Sequence, residues 1–97
     1  MPTYVTLFKW TEQGVKDAKN APGRIANAKK LTESMGGKFL GIYVTMGDYD
    51  LVSVTEGPSD EVASAIALSI ASKGNVKTTT MRAFTESEFS EILKKVS

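Results

Sequence analysis

Ninety-seven residues leave room for one domain, and a chain this short hides only about 60–65% of the surface its unfolded form exposes. Apolar residues make up 41% and charged residues 24%, and the net charge of +1 gives no electrostatic footprint for nucleic acid or an anionic membrane. There is no cysteine and no histidine, which excludes disulfides, thiolate nucleophiles, zinc–thiolate sites and imidazole as base or haem ligand.

No run approaches the ~20 apolar residues needed to span a bilayer. Met1-Pro2-Thr3-Tyr4 lacks the basic and apolar regions of a signal peptide. A cytoplasmic protein with no membrane or nucleic-acid partner is expected.

Tyr4 to Trp10 is rich in β-branched and aromatic residues and reads as a strand. Alternation puts Tyr4, Thr6, Phe8 and Trp10 on one face and Val5 and Leu7 on the other. Neither face is simply polar, so both are expected to be covered. Thr11 is placed to cap a short helix from Glu12, weakened by Gly14. Asn20-Ala21-Pro22 interrupts the pattern, and a second helical piece runs from about Pro22 to Met35 with Ile25, Ala28, Leu31, Thr32 and Met35 as its inner stripe. The connection is either one bent helix or two. Gly36-Gly37 ends it.

Phe39–Thr45 and Asp50–Glu56 read as a hairpin turning at Gly47-Asp48. A two-residue turn there pairs Met46 with Tyr49, Val44 with Leu51, Tyr43 with Val52, Ile42 with Ser53 and Gly41 with Val54. A three-residue loop would exchange the faces. Ser59 caps a helix over Asp60–Lys73 whose apolar arc is made of small residues. Val76–Phe84 is the fourth strand. Thr85-Glu86-Ser87-Glu88 is a capping box opening a last helix with Phe89, Ile92, Leu93 and Val96 at helical spacing.

The order strand, helix, strand, strand, helix, strand, helix predicts an α+β fold. It is the ferredoxin-like βαββαβ arrangement, with a four-stranded antiparallel sheet and a C-terminal helix. Val5, Leu7, Val52 and Val54 are expected to meet the helices. Tyr4, Thr6, Phe8, Trp10, Ile42, Val44, Leu51 and Ser53 are expected on the opposite face. An apolar patch of that size is seldom left wet, so a second copy is expected to cover it, sheet against sheet.

Gly47-Asp48-Tyr49-Asp50 matches the G-x-Y-D signature of the GYD domain family. The likeness extends to Met1–Leu7, to Lys9-Trp10-Thr11-Glu12-Gln13-Gly14, to Gly74-Asn75-Val76 and to Phe84-Thr85-Glu86 with the tail helix. The chain therefore resembles that family over residues 1–97. The resemblance implies the dimeric α/β-barrel architecture and a homodimer or higher homo-oligomer, but no reaction. The wider superfamily includes oxygenases, isomerases, haem enzymes and ligand-sensing regulatory domains, and those with histidine-dependent chemistry are no guide to a chain without histidine.

Seven residues are candidates for a small-molecule site. Tyr4, Phe8, Trp10 and Tyr43 offer aromatic walls, which serve an interface equally well. Tyr49 and Asp50 offer a phenol and a carboxylate at the hairpin end. Asp50 opens a strand, where aspartate is disfavoured, so its carboxylate is expected to have a partner. Arg82 is suited to bind a ligand carboxylate or to pair with Glu56 or Asp50. Asp48, Asp50 and Glu56 lack the spacing of an EF-hand loop, and neither a metal nor a cofactor is expected. Three functions remain open: a self-associating, non-catalytic module that binds a small molecule, a cofactor-independent enzyme using Asp50 and Tyr49 for proton transfer on an aromatic or keto-acid metabolite, or a purely structural oligomer.

Overall fold

The computed structural model describes residues 1–97. In chain order the elements are β1 (Thr3–Trp10), α1 (Glu12–Lys16), a 3-10 turn (Ala18–Asn20), α2 (Ala21–Ser34), β2 (Lys38–Val44), β3 (Leu51–Glu56), α3 (Asp60–Ala71), β4 (Val76–Ala83) and α4 (Glu86–Leu93). The strands form one antiparallel sheet in the order β2-β3-β1-β4. This is the ferredoxin-like α+β arrangement expected from the element order.

The helices start where their caps place them. Thr11 Oγ1 accepts from the Gly14 N–H at 3.1 Å, and Ser59 Oγ accepts from the Val62 N–H at 3.2 Å. At α4, Glu88 N–H donates to Thr85 Oγ1 at 3.2 Å while Thr85 N–H donates to Glu88 Oε1 at 2.9 Å, a reciprocal capping box. The first connection is two helices, with Pro22 in the first turn of α2, where its missing N–H has no intrahelical partner to lose.

The hairpin keeps the expected register: Val44 opposes Leu51, Tyr43 opposes Val52, Ile42 opposes Ser53 and Gly41 opposes Val54. Pairing stops at Val44 and Leu51, so Met46 and Tyr49 are not a strand pair. Thr45 closes the connection instead. Its N–H donates to Asp50 O at 2.8 Å and its hydroxyl to Tyr49 O at 2.5 Å. Gly47 takes φ 103°, a conformation costly for any residue with a Cβ. Leu40 is an extra residue on β2, between the pairs Phe39–Thr55 and Gly41–Val54, and this bulge keeps Phe39 on the same face as Ile42.

The helices cover the face opposite to the one expected. Tyr4, Thr6, Phe8, Leu51 and Ser53 are buried, and α2 and α3 close over them with Ile25, Ala28, Leu31 and Thr32 from one helix and Ala63, Ile66, Ala67 and Ile70 from the other. The residues divide between the faces as alternation dictates; the side taken by the helices is reversed. Both faces are apolar, so alternation alone does not choose between them. Size complementarity gives the reason. The small residues of α3 leave room for the rings of Tyr4 and Phe8, whereas the short Val5, Leu7, Val52 and Val54 side chains would leave voids beneath them.

The helix-free face therefore carries Val5, Leu7, Val52 and Val54, with Tyr43 from β2 and Met81 from β4 beside them. Tyr43 is 65% exposed and Met81 43%. The apolar side of α4 is open too, with Phe89 and Leu93 at 53% and 50%, and Val96 beyond it is 65% exposed. The chain exposes 6417 Å2, about 1000 Å2 above the ~5400 Å2 expected for a compact monomer of 10.5 kDa.

Candidate functional site

Asp50 is fixed from two sides. Its N–H donates to Phe8 O at 2.8 Å, and its Oδ2 accepts from the Trp10 N–H at 2.8 Å. The carboxylate thus stands where a backbone carbonyl would continue the ladder past Leu51. This is the partner that an aspartate at a strand start requires. Tyr49 lies at the hairpin end, with Lys9 Nζ 5.6 Å from its ring centroid. Asp48 is exposed, and Glu56 lies at the far end of β3 from Asp50.

Tyr4 occupies the other end of β1, under α3. Its hydroxyl donates to Asp60 Oδ1 at 2.5 Å in the first turn of that helix. Burial pushes the Tyr4 phenol up to about 12, and the hydrogen bond and charge of Asp60 add to the rise. Arg82 stacks its guanidinium 5.9 Å from the Tyr4 ring centroid and 4.6 Å from that of Phe84. Its carboxylate partner is Glu88, at 3.7 Å, rather than Glu56 or Asp50. The reason is positional: Arg82 opposes Tyr4 at the α4 end of the sheet, while Asp50 adjoins the Trp10 end. The capping hydrogen bond from Thr85 N–H, with Arg82 nearby, holds the Glu88 carboxyl below its ordinary range.

The seven candidate residues therefore do not converge. Tyr4, Phe8 and Trp10 lie on the helix side and Tyr43 on the helix-free side. Tyr49 and Asp50 sit at one end of the sheet and Arg82 at the other. Only Phe8 and Trp10 reach a sizeable cavity, a cleft of about 120 Å3 between α2 and α3. Its rim holds Arg24, Asn27, Lys73 and Asn75, none of them singled out from sequence. The apolar stripe of α2 was the available signal for its wall. The rim residues are ordinary surface types, Arg24 and Asn27 within α2 and Lys73 and Asn75 between α3 and β4, and become neighbours only through the fold.

A four-stranded antiparallel sheet with two helices across one face defines a ferredoxin-like α+β domain. The GYD domain family model matches residues 4–93, and the chain belongs to that family. It is similar to a Thermus thermophilus protein named glutamine synthetase and cystathionine beta-lyase binding protein, with 32% identity over 84 residues, 86% of this chain and 88% of the relative. Among solved structures it resembles a Thermus thermophilus protein at TM-score 0.56 and 21% identity, over 88% of this chain and 95% of that one. It also resembles the feast or famine regulatory protein of M. tuberculosis, complexed with L-methionine, at TM-score 0.66 and 13% identity, over 88% of this chain and 51% of the other. At these identities the structures speak for the fold alone. No helix of the chain is long and apolar enough to cross a membrane.

Proposed function

We propose that this chain is a non-catalytic binding module that works as a homodimer, two copies meeting through the helix-free faces of their sheets. The observation that carries this reading is the open face of Val5, Leu7, Val52, Val54, Tyr43 and Met81 on a chain with about 1000 Å2 of surface beyond a compact monomer's. A stable interface takes about 800 Å2 from each partner, so the excess is enough to supply one. A two-fold pairing buries the same patch on both copies, so this contact closes on itself instead of propagating into a filament. The dimer presents its helices and hairpin tips outward, as surface for a further partner. The name of the Thermus relative, a binding protein for two enzymes, supports reading that partner as a protein.

The engaged carboxylate of Asp50 supports a structural role for the hairpin end over proton transfer. Sedimentation velocity tests the assembly. The wild-type chain is expected to sediment as a dimer at micromolar concentration. Val54→Lys, which puts an ammonium in the middle of the face, is expected to sediment as a folded monomer. A wild-type chain that stays monomeric across that range overturns the reading.

A further inference from the structure

The cleft between α2 and α3 lies on the opposite side of the sheet from the proposed interface. Its floor is Phe8, Trp10, Ile42 and Leu51, and its walls include Ile25 and Ala28 of α2 and Ile70 of α3. Eleven of its fifteen lining residues are apolar, so whatever enters must be mainly hydrocarbon. At about 120 Å3 it is far larger than the water-sized gaps of a packed interior. An apolar cavity of about 150 Å3 takes a benzene ring. This one is therefore sized for a single ring or a short branched alkyl group.

The rim sets the charge of the occupant. None of the lining residues is acidic, and two are cationic. Arg24 is already engaged: Nη1 donates to Asp17 O at 2.8 Å and to Asp17 Oδ2 at 3.2 Å, and Nη2 donates to Gly14 O at 3.3 Å. Lys73 is the uncompensated charge, since its ammonium takes part in none of the ion pairs of the fold. Beside it, Asn75 spends its side-chain oxygen on Gln13 Nε2 at 3.0 Å, leaving its amide N–H groups to donate. The rim thus offers donors and one free positive charge above an apolar hole.

We propose that this cleft binds a small amphipathic monocarboxylate, its ring or branched alkyl body among Phe8, Ile25, Ala28 and Ile70 and its carboxylate at Lys73 and Asn75. The pairing follows from chemistry on both sides. An apolar body gains from leaving water, and a carboxylate held at the mouth keeps part of its hydration while meeting a cation. A free amino acid fits less well, because its ammonium would be brought to Lys73. The site does not depend on the dimer, whose interface is on the other face.

The test uses the full chain with phenylacetate and 4-methylpentanoate as probes and phenylacetamide as the neutral control. Methyl-labelled NMR titrations report the site and thermal shift reports the linkage. The expected result is saturable shifts of Ile25, Leu31 and Ile70 methyls with either carboxylate and a raised Tm. Binding of the amide should be roughly fivefold weaker, from loss of the charge-assisted contact. Lys73→Gln should weaken the carboxylates by a similar factor and leave the amide unchanged. Ala28→Leu, which fills the hole, should abolish the shifts. Should that variant misfold, the comparison of Lys73→Gln with the amide stands alone. Absence of methyl shifts with both carboxylates at millimolar concentration overturns the proposal. So does equal binding of acid and amide that ignores Lys73→Gln, which would make the cleft a plain apolar void. Sedimentation of the same samples reads the dimer separately, so either idea can fail without the other.

Discussion

The Trp10 N–H donates to the side chain of Asp50, not to a neighbouring strand's carbonyl, at 2.8 Å. With Asp50 N–H on Phe8 O, residue 50 clamps the end of β1 through both its main chain and its carboxylate. Removing the acceptor leaves a half-buried N–H unpaired at the edge of the cleft floor. Asp50→Ala is therefore expected to lower unfolding free energy by about 1–2 kcal/mol, toward the low end for a hydrogen bond to a charged group because the pair is only half-buried. Asp50→Asn keeps an oxygen in place and should lose less than half of that. Urea unfolding of the two variants decides it. If Asp50→Ala leaves the midpoint unchanged, the clamp has no stabilising role.

Tyr4 and Asp60 tie β1 to the first turn of α3, and the phenol is buried. Tyr4→Phe keeps the ring and deletes the hydrogen bond, at an expected loss of about 1 kcal/mol because Asp60 remains open to water. The pH dependence has a definite sign. The folded phenol titrates near 12 against 10.0 unfolded, so its share of stability is complete below pH 10 and is lost as pH rises toward 12. Ultraviolet titration should show one tyrosine ionising late, and Tyr4→Phe should remove that phase. A wild-type profile with no late phase would place the hydroxyl in water.

Gly14 was legible only as a weak point in a short helix. In the fold it is a contact: a Cβ at this position would lie 2.0 Å from Asn75 O. The corner is bound by Thr11 N–H on Asn75 O at 3.0 Å, Thr11 Oγ1 on Gly74 O at 2.5 Å and Gln13 Nε2 on Lys73 O at 3.0 Å. Helix propensity alone would make Gly14→Ala stabilising by about 1 kcal/mol. The clash reverses the sign, and we expect a net loss of about 2 kcal/mol as α1 lifts from the start of β4. A gain in stability on thermal or urea unfolding would show that the corner yields without cost.

What could be read in advance follows from which rules are local. Caps at Thr11, Ser59 and Thr85 are short-range, and all three hold. The hairpin register followed from a period of two and a glycine turn. The side of the sheet taken by the helices did not, because Tyr4, Phe8 and Leu51 on one face and Val5, Leu7 and Val52 on the other are both apolar sets. That choice depends on volumes met across layers, which a periodicity does not encode. The same limit separated Arg82 from its partner. Glu88 lies six positions away through a strand end and a helix start, and the pairing needs the orientation of α4. The cleft rim was hidden for a similar reason, since Arg24 lies in α2 and Lys73 just past the end of α3.

Glu88 makes the last helix sensitive to acid. Its carboxylate accepts from Thr85 N–H at 2.9 Å and lies 3.7 Å from Arg82, and its carboxyl is held below the ordinary 4.5. A carboxyl depressed by folding contributes stability that is present above 4.5 and disappears as pH falls through its lower, folded value. Most of the apolar side chains of α4 are open to water in the single chain, so little else holds it there and it should fray without the sheet unfolding. Following Phe89 resonances or amide exchange across acidic pH should show α4 opening while Ser53 stays protected. Glu88→Gln retains an oxygen acceptor for Thr85 N–H but not the titration, so its α4 signals should lose this pH dependence. Opening of α4 in step with β3 would mean that the tail is part of the cooperative core.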